Sequence, residues 1–219
     1  AFGLDASSGV MKYLEEKGVG FDVGVTNIPI VASAVIFDLN IGNYRIRPDF
    51  SMGYEAAKLA TTKEYRQGNI GCGMGATIGK IMGPNNAMKS GLGSATLEVG
   101  DLKVSAMVSV NSFGDVYDYK TNKQIAGVYD YQNNRMLNTY EIMKNTDRFL
   151  GFSMENTTIG IIVTNANLDK AQANKISQMA HNGFARSINP IHTMLDGDTI
   201  FTMATNEVEC DINLLGTVA

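Results

Sequence analysis

A strongly strand-forming run, TTIGIIV, occupies residues 157–163. Threonine, isoleucine and valine are branched at Cβ and fit a pleated sheet, so this run predicts a β-strand. From about residue 168 the apolar spacing predicts a helix, whose stripe continues to Phe184 and which must end before Pro190. Residues 199–204 predict a further strand. This part of the chain is therefore expected to run strand, helix, strand.

The remainder of the chain carries patterns of both kinds. Alternating apolar and polar residues at 102–110 predict a strand with one face in the core. Residues 132–156 are polar and weakly patterned, which indicates a long connection or a peripheral helix. The other expected elements are helices at 5–17 and from residue 51 toward 65, a strand at 35–37, and a hairpin of 116–119 with 124–129. Because helices and strands alternate only loosely, we expect an α+β layered domain with a largely antiparallel or mixed sheet.

Composition bounds the class of protein. The chain has 219 residues, of which 44% are apolar, so it can bury a core of ordinary size and fold as one or at most two domains. Its formal charge of −4 lacks the basic excess that nucleic-acid binding requires, and no apolar run is long enough to span a membrane. Two cysteines, Cys72 and Cys210, are too few for a disulfide scaffold and suit a reducing cytosol.

Glycine is unusually dense between Gly68 and Gly83, where it occurs six times. The run GCGMGATIGK at residues 71–80 suggests a phosphate-binding loop, but such a loop needs glycine in place of Met74 and serine or threonine in place of Ile81. A dinucleotide-binding turn should follow a strand, whereas polar residues precede this run. The cluster therefore predicts close backbone approaches, with Lys80 as a cation in tight surroundings.

A second concentration of chemistry is PIHTMLDGDT at residues 190–199. Asp196 and Asp198 flank a glycine, which is typical of a solvated acidic turn. Together with His192 they could also form a metal site, but neither the oxygen-rich loop of a calcium site nor the helical spacing of a zinc site is present. His181 is expected to be a structural or surface histidine. We therefore expect neither a metal nor a cofactor.

The run NTTI at residues 156–159, taken with PIHTMLDGDT, resembles the self-processing aminopeptidase/amidase family. That family includes the L-aminopeptidase/D-esterases, the β-peptidyl aminopeptidases and the 6-aminohexanoate-oligomer hydrolases that attack nylon oligomers. Further matching stretches lie at residues 1–6, 33–38, 79–80 and 110–111. The resemblance implies a four-layer αββα sandwich of the N-terminal-nucleophile type.

The resemblance also implies self-cleavage between Asn156 and Thr157. A single hydrolase domain over residues 1–219 would then consist of fragments 1–156 and 157–219, and N- and C-terminal pieces of a longer parent chain are expected to be missing. The freed α-amine of Thr157, with a pKa of about 7.7–8.0, can serve as a base near neutral pH. Without this resemblance, Thr157 would be interpreted as an ordinary strand residue.

The family's site residues map onto five positions of this chain. Thr157 is the implied nucleophile, and Lys80 is expected to bring it to its reactive state. Asn111 would donate a hydrogen bond to the developing oxyanion. Asp196 and Asp198 would orient the Thr157 amine and relay protons as a coupled pair.

The implied activity is hydrolysis of linear amide bonds. Thr157 and the Asp-Gly-Asp run place the chain nearer to the nylon-oligomer branch, because the aminopeptidases use serine and a Ser-x-Glu pair. The alternatives are an aminopeptidase on short or β-peptides and a catalytically silent binding member. Phe37, which stands where the nylon hydrolases have tyrosine, and Tyr54 are expected to contact the substrate. The resemblance further suggests a cytoplasmic homo-oligomer, a dimer or tetramer of processed heterodimers, without nucleic-acid or membrane partners.

Overall fold

A computed structural model describes residues 1–62, 65–146 and 156–219, and these divide into two units. The first unit comprises residues 1–35 and 39–66. The second unit comprises residues 36–38 and 67–219 and contains all the strongest sequence patterns. Both helices and sheets are present, so the predicted α+β class is confirmed.

The first unit is built on two helices. Its elements are α1 (Asp5–Glu16), β1 (Phe21–Asp22), β2 (Asn27–Ile28) and α2 (Phe50–Lys58). The helices cross closely, since a Cβ at Gly53 would overlap the backbone of Ala6. The carboxylate of Asp5 accepts a hydrogen bond from the Phe50 backbone N–H at 3.0 Å and so joins the start of one helix to the start of the other. Helix α2 ends at Lys58, earlier than the sequence predicts, and Asp49 is its N-cap.

The strand expected at residues 35–37 is absent, so this prediction is wrong. Residues 35–37 form a continuous apolar run, and no neighbouring residue in the sequence distinguishes this run from a buried strand. In the structure the backbone carbonyl of Phe37 accepts a hydrogen bond from the side chain of Asn111, at 3.1 Å. A side-chain amide thus takes the acceptor that a neighbouring strand would otherwise use.

The second unit contains the remaining elements in chain order. They are a 3₁₀ turn (Gly71–Gly73), β3 (Thr77–Ile78), β4 (Met88–Lys89), β5 (Leu92–Val99), β6 (Leu102–Ser109), β7 (Asp115–Asp118), β8 (Lys123–Ala126), β9 (Tyr129–Asp130), β10 (Arg135–Met136), α3 (Thr139–Lys144), β11 (Ile159–Ala166), α4 (Lys170–Ser187), β12 (Ile188–Asn189), β13 (Thr199–Val208) and α5 (Ile212–Val218). The hairpin predicted near residues 116–129 is confirmed as β7 and β8. Part of the predicted 132–156 connection, residues 147–155, lies outside the described residues.

A four-stranded mixed sheet forms the centre of this unit, in the order β13-β11-β6-β5. Strand β11 pairs in parallel with β13, where Ile159 faces Thr199, and antiparallel with β6, where Ile159 faces Ser109. The parallel pair is joined through α4, as a crossover connection requires. The predicted strand, helix and strand are therefore confirmed, and the sheet is mixed as expected.

Alternate residues of β11 point to the core face of the sheet. Gly160, Ile162, Thr164 and Ala166 are buried, while Val163 is exposed. Gly160 leaves room for a helix, because a Cβ there would lie 3.2 Å from the Phe184 ring. The core that this face shares with α4 and α5 consists of Leu102, Val104, Ile162, Ala166, Leu168, Ile176, Ala180, Phe184, Ile188, Ile200 and Leu215. The sheet is thus anchored to α4 immediately beyond the start of β11.

Helix α4 begins with a capping box. The Asp169 carboxylate accepts from the Gln172 backbone N–H at 2.7 Å, and the Gln172 side chain accepts from the Asp169 N–H at 2.9 Å.

Asp169→Ala removes one side of this box and should lower the free energy of unfolding by about 1 kcal/mol in urea denaturation. Lys170→Ala, at the next exposed position, is the control and should change it by less than about 0.5 kcal/mol. Equal values for the two variants would show that the box does not stabilise α4.

Candidate active site

The Asn156–Thr157 peptide lies just before β11 and is hydrogen-bonded at both polar groups. Its carbonyl oxygen, on Asn156, accepts from the Gly197 N–H at 2.6 Å. Its N–H, on Thr157, donates to the backbone carbonyl of Asn111 at 2.9 Å. Asn156 is fully buried. This peptide is therefore held in one orientation by two segments that are distant in sequence.

The register of the sheet explains why these segments meet. Asn156 forms an isolated parallel bridge with Asp196, and this bridge continues the parallel pairing of Ile159 with Thr199. The residues before β11 and before β13 therefore run side by side. This brings the Asp-Gly-Asp run, expected from the sequence to act on Thr157, against the Asn156–Thr157 peptide.

The Thr157 hydroxyl lies beside Gly197. A Cβ on Gly197 would be 3.0 Å from Thr157 Oγ1, so a side chain here would press on the hydroxyl. Among the residues that the structure describes, Thr157 Oγ1 forms no hydrogen bond. By contrast, the Thr158 hydroxyl is buried and accepts from the Asn111 N–H at 3.3 Å. Within the part of the chain that the structure describes, the two adjacent threonines therefore differ in that the Thr158 hydroxyl alone is hydrogen-bonded.

Lys80 and Asn111 form a buried polar pair. Lys80 Nζ donates to Asn111 Oδ1 at 2.7 Å, and the Thr77 N–H donates to the same oxygen at 3.1 Å. The Asn111 amide nitrogen donates one hydrogen to the Phe37 carbonyl at 3.1 Å. An amide NH₂ group carries two hydrogens, and among the described residues the second hydrogen of Asn111 has no acceptor within hydrogen-bonding distance.

Burial dominates the electrostatics of Lys80. The residue is only 3% exposed, and desolvation lowers the pKa of its ammonium to about 8, although the carboxylates of Asp196 and Asp38 favour the charged form. Burial also raises the pKa of the Asp38 carboxyl. A lysine in this state exchanges its proton close to neutral pH, which an exposed lysine does not.

The glycine cluster makes the close approaches that the sequence predicts. A Cβ at Gly75 would overlap the Asp38 carboxylate, and one at Gly79 would overlap the Val128 backbone. Gly79 also has φ of +68°, a conformation that glycine adopts without strain. The Gly79 and Lys80 amides donate to the carbonyls of Gly114 and Phe113, both at 3.1 Å. Because these two amides are already engaged, this segment forms a fixed wall that carries Lys80.

Lys89 reinforces this wall through hydrogen bonds to backbone carbonyls. Its ammonium donates to three backbone carbonyls, those of Gly73 at 2.6 Å, Ala76 at 3.0 Å and Ser90 at 2.7 Å. The cation thereby satisfies carbonyl groups that a tight glycine turn leaves without partners. Sequence reasoning missed this residue, since a lysine in a short strand gives no local signal.

Both carboxylates of the Asp-Gly-Asp run are hydrogen-bonded. Asp196 accepts at Oδ1 from the Phe113 N–H at 3.1 Å and at Oδ2 from the Thr193 hydroxyl at 2.6 Å. Burial raises the pKa of the Asp196 carboxyl, Asp198 raises it further, and these hydrogen bonds oppose the rise. Asp198 accepts at Oδ1 from the Thr158 N–H at 2.9 Å. The solvated acidic turn weighed in the sequence analysis is therefore a structured loop.

His192 and His181, considered separately from sequence, lie together. His192 Nδ1 is 2.8 Å from Asp198 Oδ2, and the two imidazole rings are 5.0 Å apart. Within residues 1–62, 65–146 and 156–219, no group of three histidine, cysteine or acidic side chains is arranged to hold a metal ion.

The two expected substrate contacts, Phe37 and Tyr54, fall in different units. Phe37 lies in the second unit, where its carbonyl binds Asn111. Tyr54 lies on α2 in the first unit, and its hydroxyl donates to the Glu16 carboxylate at 2.8 Å. A substrate role for either residue stays a prediction. Thr157, Lys80, Asn111, Asp196 and Asp198, by contrast, are linked in the second unit by the contacts above.

Comparisons with known sequences identify relatives. The sequence model of peptidase family S58 matches residues 1–216. An uncharacterised aminopeptidase of Mycobacterium leprae (strain TN) is 39% identical over 95% of this chain and 58% of the relative. A 6-aminohexanoate-oligomer endohydrolase of Agromyces sp. (strain KY5R) is 30% identical over 95% of this chain and 59% of the relative. The chain thus spans less than two thirds of the length of these relatives.

A solved structure supports the fold. The β-aminopeptidase of Burkholderia sp. matches 92% of this chain and 50% of its own, with a TM-score of 0.56 and 19% identity. At this identity the match concerns the fold alone, and it supports the expected α+β fold. Among the described residues, no helix combines the length and the apolar character that crossing a membrane requires.

The buried Lys80 gives a pH-dependent contribution to stability. Its folded-state pKa of about 8 lies below the ordinary value of 10.5, so the unfolded chain binds more protons between these values and stability rises with pH. Relative to Lys80→Met, the free energy of unfolding should rise by about 2 kcal/mol from about pH 7 to about pH 9.5. Both proteins should carry Thr157→Ala, so that the expected self-cleavage does not interfere. A pH-independent difference between them would contradict the lowered pKa.

Proposed function

Since the chain belongs to peptidase family S58, we propose that it hydrolyses amide bonds with Thr157 as an N-terminal nucleophile. The observation that carries this proposal is the peptide before Thr157, whose carbonyl accepts from Gly197 at 2.6 Å and whose N–H donates to Asn111 at 2.9 Å. A peptide fixed at both ends beside an available hydroxyl is suited to attack by that hydroxyl. The identity of Thr157 and its surroundings both support the role.

Self-cleavage is the first reaction. Thr157 Oγ1 attacks the Asn156 carbonyl carbon, the C–N bond breaks, and the proton that Oγ1 loses passes to the departing Thr157 nitrogen. Water hydrolyses the resulting ester and leaves an Asn156 carboxylate and a free Thr157 amine. The Gly197 N–H, already 2.6 Å from the carbonyl oxygen, stabilises the negative charge that develops there. The products are fragments 1–156 and 157–219 of a single hydrolase domain.

The same hydroxyl then attacks the substrate amide. Lys80, with its pKa lowered to about 8, takes the hydroxyl proton in its neutral form. The remaining amide hydrogen of Asn111 donates to the substrate oxyanion. Asp196 and Asp198 orient the new Thr157 amine, which in its protonated form gives a proton to the leaving nitrogen and later recovers one from the hydrolytic water, while Lys80 returns the hydroxyl proton to Oγ1. Water hydrolyses the acyl ester and restores Thr157.

The proposed substrates are linear amides of the 6-aminohexanoate-oligomer class. Thr157 and the Asp-Gly-Asp run support this class, as does the relative named for that activity. An aminopeptidase on short or β-peptides is the second candidate, favoured by the 39% identity with a sequence named as an aminopeptidase. Phe37 and Tyr54 are proposed to contact the substrate.

The setting of the enzyme is proposed on more general grounds. Cys72 and Cys210 are both free thiols, which supports a reducing compartment such as the cytoplasm. The active form is proposed to be a dimer or tetramer of cut chains. Sedimentation of the purified protein before and after cleavage measures that assembly directly.

Intact-mass analysis tests the self-cleavage. The wild-type protein should give two chains, broken between Asn156 and Thr157. Thr157→Ala should give one chain, because it removes the attacking oxygen, and Thr157→Ser should still be cut, because it keeps a hydroxyl at the same position.

Thr158→Ser is the matched control for these variants, since it alters the neighbouring threonine and keeps its hydroxyl. It should be cut like the wild-type protein. A wild-type chain that stays whole under folding conditions would support the catalytically silent alternative, and cleavage that survives Thr157→Ala would exclude Thr157 as the nucleophile.

Capped and uncapped oligomers separate the two enzymatic candidates. Linear 6-aminohexanoate oligomers with a free or an acetylated amine should be hydrolysed with kcat/KM values within about threefold of each other, because an endohydrolase makes no contact that requires the terminal ammonium. An aminopeptidase should instead lose at least about a hundredfold on acetylation, since its ammonium-binding group is left unpaired. Product analysis by mass spectrometry measures both rates.

A further inference from the structure

His192 is bonded to a carboxylate of the proposed site. Its Nδ1 lies 2.8 Å from Asp198 Oδ2, and the Asp198 side chain is only 2% exposed whereas that of His192 is 39% exposed. The other oxygen of Asp198 accepts from the Thr158 N–H at 2.9 Å. The Asp198 carboxylate therefore bridges the imidazole to the residue that follows Thr157.

The imidazole is itself held in place. His192 has φ of +55°, a left-handed conformation that is uncommon for residues other than glycine, although asparagine, aspartate and histidine adopt it more often than the rest. Its ring packs against two aromatic rings of α4, with centroids 5.0 Å away at His181 and 6.4 Å away at Phe184. The backbone of the loop and the side chains of α4 thus both direct Nδ1 toward Asp198.

The two carboxylates of the Asp-Gly-Asp run are anchored by different chemistry. Asp196 is held by the Phe113 backbone N–H and by the Thr193 hydroxyl. Asp198 is held on one side by a backbone N–H and on the other by His192. The torsion about the Cβ–Cγ bond of aspartate is broad, so an anchor on each oxygen is needed to fix the carboxylate plane.

We propose that His192 is a positioning residue that fixes the orientation of Asp198 through a hydrogen bond from Nδ1 to Oδ2. The inference rests on the proposed function, in which Asp198 orients the Thr157 amine. A carboxylate only accepts, so the imidazole carries its proton on Nδ1. Loss of this donor leaves one oxygen of the Asp198 carboxylate without a hydrogen bond. The Thr157 amine, which must transfer a proton during turnover, is then held less firmly in position. Substrate binding is unaffected, because His192 acts only through Asp198.

Two substitutions at residue 192 distinguish the effect of losing the N–H donor from the effect of the left-handed backbone conformation. His192→Gly accepts the left-handed φ and removes the donor. His192→Asn also suits that φ and keeps an N–H close to the position of Nδ1. On an uncapped linear 6-aminohexanoate oligomer, His192→Gly should lower kcat at least about tenfold with KM within about twofold, by analogy with the loss seen when a residue that orients a metal-binding side chain is removed. His192→Asn should restore kcat to within about threefold of wild type.

Met194→Ala is the control, because Met194 lies in the same loop and is fully exposed. It should retain wild-type kcat and KM. Imidazole ¹⁵N shifts provide a readout that needs no substrate: His192 should show the Nδ1-protonated tautomer, and this should change in Asp198→Asn. Wild-type kcat in His192→Gly, or an equal loss in His192→Asn, would overturn the positioning role alone. A wild-type protein that neither cuts itself nor hydrolyses the oligomer would overturn the proposed function, and this role with it.

Discussion

The parallel register of β11 and β13 is the constraint on which the site depends. It pairs Ile159 with Thr199, and continued backward it sets Asn156 beside Asp196. The loop before one strand thus delivers a backbone N–H, from Gly197, to the peptide before the other. Core packing of β11 against α4 keeps this register, since a one-residue slip would turn its buried face outward.

The charged side chains to which the proposed mechanism assigns roles are buried. Lys80 is 3% exposed and the Asp198 side chain is 2% exposed. Burial raises the pKa of Asp196 and lowers that of Lys80, so acid and base are brought toward a common pH range. Removing such groups from water costs stability, and the hydrogen bonds of Asn111 and Thr193 offset part of that cost.

Elements with a strong hydrophobic period could be predicted from the sequence, because the alternation that buries one face of a strand is a local pattern, as residues 102–110 show. The strand expected at residues 35–37 could not be excluded, because the bond to the Phe37 carbonyl comes from a residue 74 positions away. The candidate site residues came from family resemblance rather than from periodicity. The role of His192 could not be predicted from the sequence. Its neighbours in the sequence are compatible with a metal ligand or a residue of a solvated turn, and the contact with Asp198 is seen only in the folded structure.

The central claim is that Thr157 carries the acyl group during turnover. Acid quenching of the purified protein during hydrolysis of a 6-aminohexanoate oligomer, followed by mass spectrometry of the fragment 157–219, tests it directly. We expect an added acyl mass on that fragment, assigned to Thr157 by peptide mapping and removed by mild base, as an ester should be. Turnover without an adduct at Thr157, or with the adduct on another residue, would contradict the account.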